Sequence, residues 1–130
     1  MTRILAFLVA TALLCAQSPV SIANAEHYKW GDNCDGWYLL KTDAVHIIQE
    51  RMPAGTAETL HRHARARQFF LILKGTAILE HDGKSTVLKT GEGMEVAPGT
   101  KHRIKNESNA ELDLVVTSQP PSHGDREDLK

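Results

Sequence analysis

The sequence predicts an all-β fold in a single domain, and three observations favour this class. Short apolar runs that alternate with polar residues recur between Trp37 and Ser118, and a period of two is typical of strands with one buried face. Turn-forming pairs such as Lys74-Gly75 and Asp82-Gly83 separate these runs, and Asp82-Gly83 predicts a tight hairpin. No stretch of useful length has the helical period of 3.6 residues. Many short strands in a chain of this size predict a sandwich or a barrel.

The first 25 residues have the layout of a secretory signal peptide. Arg3 gives a positive start, residues 4–14 form an apolar stretch, and residues 23–25 form a small-residue cleavage site. The apolar stretch is shorter than the roughly 20 residues that span a bilayer. We expect cleavage after Ala25 and a periplasmic or secreted mature protein that is not held in the membrane. An uncleaved N-terminal anchor is the alternative.

The 105 residues that remain (130 − 25) suffice for one domain and divide into three parts. We expect an irregular N-terminal arm at residues 26–36, because they are polar and mixed, and the β-barrel at residues 37–118. Pro120-Pro121 opens residues 119–130, which we expect to leave the barrel as an extended tail or short helix. The predicted strands are 37–40, 45–52, 58–63, 68–74, 76–81, 85–89, 94–96, 102–106 and 112–118.

Charge and cysteine content exclude some classes of function. Without Arg3 the mature chain has 14 basic residues (15 − 1) against 16 acidic ones, a formal charge of −2, with no basic patch or acidic tail. Nucleic acid and membrane surfaces are therefore not expected as partners. Cys34 is the single cysteine of the mature chain, so no internal disulfide can form. Its thiol is either free and buried or paired between two chains.

Three histidines are the most informative residues about function. Side chains two residues apart in a strand leave the same face, so His61 and His63 point together while Arg62 points away. His102, on a distant strand, can supply a third imidazole. Such a set suits one divalent transition metal, and Fe, Zn, Ni, Mn and Cu are all compatible. The alternative is three histidines kept as core polar groups, which would each need hydrogen-bond partners.

The three histidines lie in two longer motifs. The first is Gly55-x5-His61-x-His63-x4-Gln68-x6-Gly75, and the second is Gly91-x5-Ala97-x-Gly99-x2-His102-x3-Asn106. Together they resemble the two signature motifs of the cupin superfamily, with Gln68 in place of a glutamate and Ala97 in place of a proline. The resemblance covers residues 55–106 and is to small single-domain bacterial cupins. It implies a double-stranded jelly-roll β-barrel that holds one metal inside, with these ligands: His61, His63, His102 and, at the fourth position, Gln68.

Gln68 is the main departure from the motif. A glutamate would lower the formal charge of a divalent centre to +1, whereas the neutral glutamine leaves it at +2. Such a centre would be a stronger Lewis acid and would suit an anionic ligand. Gln68 is either a weak direct ligand or an amide that orients a histidine or a water, and the sequence leaves both interpretations open.

Four further residues are candidates for the pocket wall. Phe70 and Ile72 leave the same strand face as Gln68, so we expect them to line the pocket. Arg51 could face the pocket and bind an anion, or equally well face solvent. His123 could fold over the barrel mouth with the tail, and a purely structural tail is the alternative. The alternate residues of the Gln68 strand are expected to pack between the sheets: Phe69, Leu71 and Leu73.

Two classes of function fit these features. The first is an exported metalloenzyme that acts on a small anionic metabolite by dioxygenation, isomerisation or elimination. The second is a non-catalytic periplasmic module that binds a small ligand or a metal with the same residues. The sequence offers no interior general base, and the resemblance to cupins favours the enzyme. Exposed sheet edges favour a homodimer in either case.

Overall fold

Alternating apolar side chains build two antiparallel sheets in the computed structural model, which describes residues 17–130. Within these residues there are eleven strands and no helix. The strands are β1 Glu26–Trp30, β2 Cys34–Lys41, β3 His46–Met52, β4 His61–Arg62, β5 Arg67–Lys74, β6 Thr76–His81, β7 Lys84–Lys89, β8 Gly93–Val96, β9 His102–Lys105, β10 Leu112–Gln119 and β11 Glu127–Asp128. The all-β prediction is confirmed.

The strand order is that of a jelly roll. One sheet has six strands in the order β1-β2-β3-β10-β5-β8, and the other has five in the order β11-β4-β9-β6-β7. Their apolar inner faces pack on each other, as in a double-stranded barrel. The predicted Asp82-Gly83 hairpin joins β6 to β7, and both residues have a positive φ, which a two-residue turn of this kind requires. The jelly-roll prediction is confirmed.

Residues 1–16 lie outside the described part, and the predicted signal peptide falls mostly on them. Within residues 17–130 we find no helix that is long and apolar enough to cross a membrane. Cleavage after Ala25 and export stay predictions from the sequence.

The core lies between the sheets, and its position corrects one expectation about β5. Phe70 and Ile72 are buried there, 2% and 1% exposed. The residues that alternate with them do not pack between the sheets as predicted. Phe69 and Leu73 are 46% and 41% exposed, because they leave the outer face of the six-stranded sheet. Alternation identifies the two faces of a strand but not whether a second layer covers both.

The segment 26–36 is β structure rather than the expected irregular arm. It contains β1 and the start of β2, which pair with each other and extend the six-stranded sheet. Tyr28 and Trp30 pack against the core, whereas the polar residues between and around them face outward. A Cβ atom on Gly36 would lie 2.3 Å from the Tyr28 ring, so glycine is needed for this packing. The alternation of Tyr28 and Trp30 with polar residues is short, so the polar, mixed composition of the segment led to the prediction of an irregular arm.

The C-terminal segment also differs from the expectation. It does not leave the barrel, because β11 pairs with β4 in the register Glu127↔Arg62 and Asp128↔His61. A strand of two residues has too short a pattern to be recognised from sequence. Its position brings the tail over the end of the barrel at which the first two motif histidines lie.

Asn106, the last residue of the second motif, ties together the loops at the other end of β9. It is fully buried. Its Nδ2 donates to the carbonyl oxygens of Met52, Pro53 and Ala110 at 3.0, 3.2 and 2.8 Å. Its Oδ1 accepts hydrogen bonds from the backbone N–H and the hydroxyl of Ser108 at 3.2 and 2.7 Å. Both ends of the amide are therefore used.

We expect Asn106→Asp to lower the free energy of unfolding by about 3 kcal/mol, because a carboxylate cannot donate to the three buried carbonyls. Urea denaturation followed by tryptophan fluorescence measures the change. The control is Asn109→Asp, at an exposed position in the same loop, which should stay within about 0.5 kcal/mol of the unmodified protein. Equal effects of the two substitutions would contradict the role of the amide.

Candidate metal centre

The three motif histidines meet between the two sheets. His61 on β4 lies directly opposite His102 on β9, and His63 follows on the same face as His61. All three are buried, and one nitrogen of each ring lies within 4.8 Å of those of the other two. The pairing of β4 with β9 brings His61 close to His102, and alternation along the chain puts His63 on the same inner face as His61.

Each of these rings makes a hydrogen bond that fixes which nitrogen carries the proton. In every case Nδ1 lies next to a backbone carbonyl oxygen, and a carbonyl only accepts, so Nδ1 donates. The second nitrogen, Nε2, then keeps its lone pair and faces the others. The bonds are His61 Nδ1 to Thr59 O, 2.7 Å; His102 Nδ1 to Thr100 O, 2.8 Å; and His63 Nδ1 to Asp125 O, 2.5 Å.

The free Nε2 atoms fit a metal ion. His63 Nε2 is buried and has no hydrogen-bond partner among residues 17–130, and an unpaired buried acceptor is costly. His102 Nε2 lies 2.9 Å from Oε1 of Gln68, whose Nε2 donates to Ser118 Oγ at 3.0 Å. In this orientation of the amide two lone pairs face each other. A metal ion held by the Nε2 atoms would satisfy these acceptors.

The electrostatics of the cluster keep the rings neutral. Burial lowers the pKa of His61 to about 3, and repulsion from His102 and His63 acts in the same direction. Burial is also the main cause that lowers the pKa of His63 and of His102. Neutral imidazole is the form that ligates metals, so the folded chain does not have to release protons to bind one at neutral pH.

A cavity of about 330 Å³ lies beside the histidines, and it includes part of the predicted pocket wall. His61, His63, Gln68 and His123 line it. Phe70 and Ile72 do not, since they lie deeper in the core, although the Phe70 ring is 6.1 Å from that of His102.

Arg51 is also absent from the cavity wall, contrary to the pocket-facing alternative. It lies on the outer face of the six-stranded sheet, where its Nε and Nη2 donate to the two carboxylate oxygens of Asp113 at 2.7 and 3.1 Å. Its guanidinium also lies over the Trp37 ring. Arg51 therefore stabilises the sheet surface, and the cation that reaches the cavity is Arg126.

Two carboxylates that the sequence analysis missed face the cavity. Glu50 leaves β3 on the same face as His46 and Ile48, and this alternation could have identified it. Glu58 lies in the loop before β4 and not in the strand predicted over 58–63, whose alternation would have turned it away from His61 and His63. Burial raises the pKa of both carboxyl groups, and the charge of Glu58 raises that of Glu50 further. The cavity thus contains acid–base groups that the motifs do not mark.

The C-terminal segment completes the site. The carboxylate of Asp125 accepts hydrogen bonds from the backbone N–H groups of residues 64–66, each at 2.9 Å, and these hold its pKa below the ordinary value. The carbonyl of the same residue accepts from His63 Nδ1. His123 and Arg126 on either side line the cavity. The tail therefore positions one of the three histidines.

Replacing Asp125 by alanine should weaken metal binding by about 10-fold. The substitution removes the carboxylate bonds to residues 64–66 that anchor the tail, so the Asp125 backbone carbonyl is no longer held in place against His63 Nδ1. Competition with a zinc-binding chelator measures the dissociation constant. The control is Asp43→Ala, in an exposed turn away from the site, which should leave the affinity unchanged. An unaltered affinity in the Asp125 variant would show that the carboxylate is not needed to keep the tail carbonyl against His63.

The three buried histidines should make the metal-free protein less stable as the pH falls from 7 towards 4, while the raised pKa values of Glu50 and Glu58 act in the opposite direction. The histidines of the unfolded chain take up protons near pH 6.5, whereas the folded His61 does so near pH 3, so the unfolded state binds more protons in this window. The contribution of each such histidine to the free energy of unfolding then rises with pH, by up to about 1.4 kcal/mol per pH unit. Urea denaturation in the presence of a chelator measures the slope, and His61→Gln should make it shallower. An unchanged slope would contradict a neutral buried ring.

Comparison with known proteins agrees with the motifs. The family model described as Cupin domain matches residues 48–118, more than half of the 130-residue chain. An uncharacterised protein of Methanocaldococcus jannaschii is 32% identical over 85 residues, 65% of this chain and 68% of that protein. The oxalate-binding protein of Thermotoga maritima is 26% identical over 84 residues, 61% of this chain and 69% of that one. A sugar phosphate isomerase from Silicibacter pomeroyi has the same fold, with a TM-score of 0.66 at 16% identity over 77% of this chain and 74% of that chain. The chain belongs to the cupin family.

Proposed function

We propose that this protein is an exported metal-dependent enzyme that acts on a small anionic metabolite. The observation that carries the proposal is the buried Nε2 of His63, which has no partner within residues 17–130 and faces two further unprotonated Nε2 atoms beside an open cavity. A divalent transition metal bound there would supply Lewis acid chemistry to a ligand in the cavity. The three histidines would hold it, with Gln68 beside them.

The charges of the cavity support an anionic substrate. Arg126 and His123 reach the cavity from the tail and can donate hydrogen bonds to a carboxylate or phosphate. Arg126 is 40% exposed and so lies at the rim, where an incoming anion would meet it. The similarity to an oxalate-binding protein supports the same class of ligand.

The two carboxylates favour reactions that move a proton. Isomerisation needs a group that removes a proton from one carbon and a group that delivers one to another. Elimination needs a base for the carbon-bound proton and an acid that protonates the leaving group. Glu50 and Glu58 are side chains of the required kind in the cavity. Dioxygenation needs no such pair. The fold shared with a sugar phosphate isomerase is consistent with isomerisation.

The alternative proposal is a non-catalytic module that binds a small anion through the metal. The similarity to a protein known as oxalate-binding favours it, because ligand binding needs the histidines and Arg126 but neither carboxylate. A homodimer and release into the periplasm stay predictions from the sequence in both cases.

The proposed function predicts about one metal ion per chain in protein isolated from a periplasm without added metal. Elemental analysis measures it, and the His61→Ala/His102→Ala variant should contain none. The metal-loaded protein is then incubated with oxalate, 2-oxo acids and sugar phosphates, and NMR follows their conversion. We expect turnover of at least one of them by the unmodified protein and none by the double variant.

Three outcomes separate the proposals. Metal together with turnover supports the enzyme. Metal together with saturable binding of an anion, but no conversion of any compound tested, supports the binding module. No metal after isolation and after reconstitution would rule out both, since each requires the histidines to hold an ion.

A further inference from the structure

The charge of the proposed metal site is not balanced by the residues of the family motif. Three neutral imidazoles and the neutral Gln68 amide leave a divalent ion with its full formal charge. All four side chains are buried, so water cannot solvate that charge freely, and an isolated buried charge is costly. A compensating anion should therefore lie close by, outside the motif positions.

Glu58 lies at the required place. Its Oε2 is 3.8 Å from Nε2 of His61, and no other carboxylate oxygen within residues 17–130 comes as near to a ring nitrogen of the three histidines. The side chain is 11% exposed. At 3.8 Å the two atoms are too far apart for a hydrogen bond, and the ionised carboxylate and the His61 Nε2 lone pair are both acceptors. The space between them suits a cation or a water molecule bound to one.

The main chain holds Glu58 in this position. Its backbone N–H donates to the carbonyl of Ile104 at 3.0 Å, and its Oε1 accepts from the N–H of Ile104 at 3.0 Å. Ile104 lies on β9, the strand that carries His102. One carboxylate oxygen is thus tied to the ligand-bearing strand, and the other remains free to face His61.

We propose that Glu58 supplies the negative charge at the metal centre that the family motif assigns to a glutamate at position 68 and that Gln68 cannot supply. This inference rests on the proposed metal site. Glu58 stands outside the cluster in which all ligand atoms lie within 4.8 Å, and it lines the cavity beside that cluster. There it acts through a water or substrate atom on the ion. Without a metal, the cation nearest to Oε2 is Arg126, whose Nη1 is 3.8 Å away.

Glu50 provides a matched comparison. It is a carboxylate in the same cavity, it repels Glu58, and it forms no ion pair with the three histidines. If any carboxyl group of the cavity could serve the metal, Glu50→Gln would weaken binding as much as Glu58→Gln. A specific role of Glu58 at the metal requires that Glu58→Gln weakens metal binding more than Glu50→Gln.

The experiment measures the dissociation constants of Zn²⁺ and Mn²⁺ by chelator competition at neutral pH. We expect Glu58→Gln to weaken binding of both by about 10- to 100-fold and Glu50→Gln by less than about 3-fold. Co²⁺ loaded in place of Zn²⁺ should show a changed visible absorption spectrum in Glu58→Gln and not in Glu50→Gln.

Substitution at position 68 gives a second test, in which the effect of Gln68→Glu is compared with and without Glu58. If Glu58 already supplies the charge, Gln68→Glu should strengthen binding by less than about 3-fold in the unmodified protein. In the Glu58→Gln background the same change should strengthen binding by about 10-fold or more. The two positions then couple in a double-mutant cycle. Thermal unfolding of the metal-free variants checks that each is folded.

Each outcome has a separate meaning. If the unmodified protein binds the metal and Glu58→Gln binds it equally well, the role of Glu58 is wrong and the proposed function stands. If Glu50→Gln and Glu58→Gln weaken binding equally, or if Gln68→Glu strengthens it equally in both backgrounds, the role of Glu58 is again wrong. If the unmodified protein binds no metal, the proposed site and this inference both fail.

Discussion

The site depends on three hydrogen bonds from histidine Nδ1 atoms to backbone carbonyls. Each bond assigns the proton of a ring to Nδ1 and leaves the lone pair of Nε2 directed at the same point. Two of the carbonyls, those of Thr59 and Thr100, lie two residues before the histidine they serve, so the local chain fixes the ring. The rest of the barrel keeps these short segments opposite each other, through the pairing of His61 with His102.

The third bond is of a different kind, because its carbonyl comes from the far end of the chain. Asp125 reaches His63 across more than sixty residues of sequence, and its side chain binds the backbone of residues 64–66 at the same time. One residue therefore orients a ring and closes the loop after it. The short pairing of β11 with β4 carries this residue into place. The C-terminal segment is thus part of the site and not an appendage to the barrel.

Sequence could predict what depends on period and spacing. Alternation identified the strands between Trp37 and Gln119, and the motif spacing connected His102 with His61 and His63 before any geometry was known. Sequence could not predict which face of a strand a second sheet covers, and so could not predict which of its side chains are buried. The outer side of β5 looks as apolar as the inner side, so Phe69 was expected inside although it is 46% exposed. The direction of the Arg51 side chain was left undecided for the same reason, because alternation alone does not show which face of a sheet lies against the core.

Glu58 was missed for a different reason, because it lies in a loop outside the motif positions, and it matters for the charge of the site. A motif records residues at fixed spacing, and Gln68 read alone suggests a centre that has lost its anion. A carboxylate is available from a position that the motif leaves variable. Glu58, in the loop before β4, is hydrogen-bonded to Ile104 and lies beside His61. Charge compensation constrains the sum of the charges around a buried ion and not the position that supplies them. A substitution at one ligand position can therefore leave the charge of a site unchanged when a neighbouring loop already holds a carboxylate.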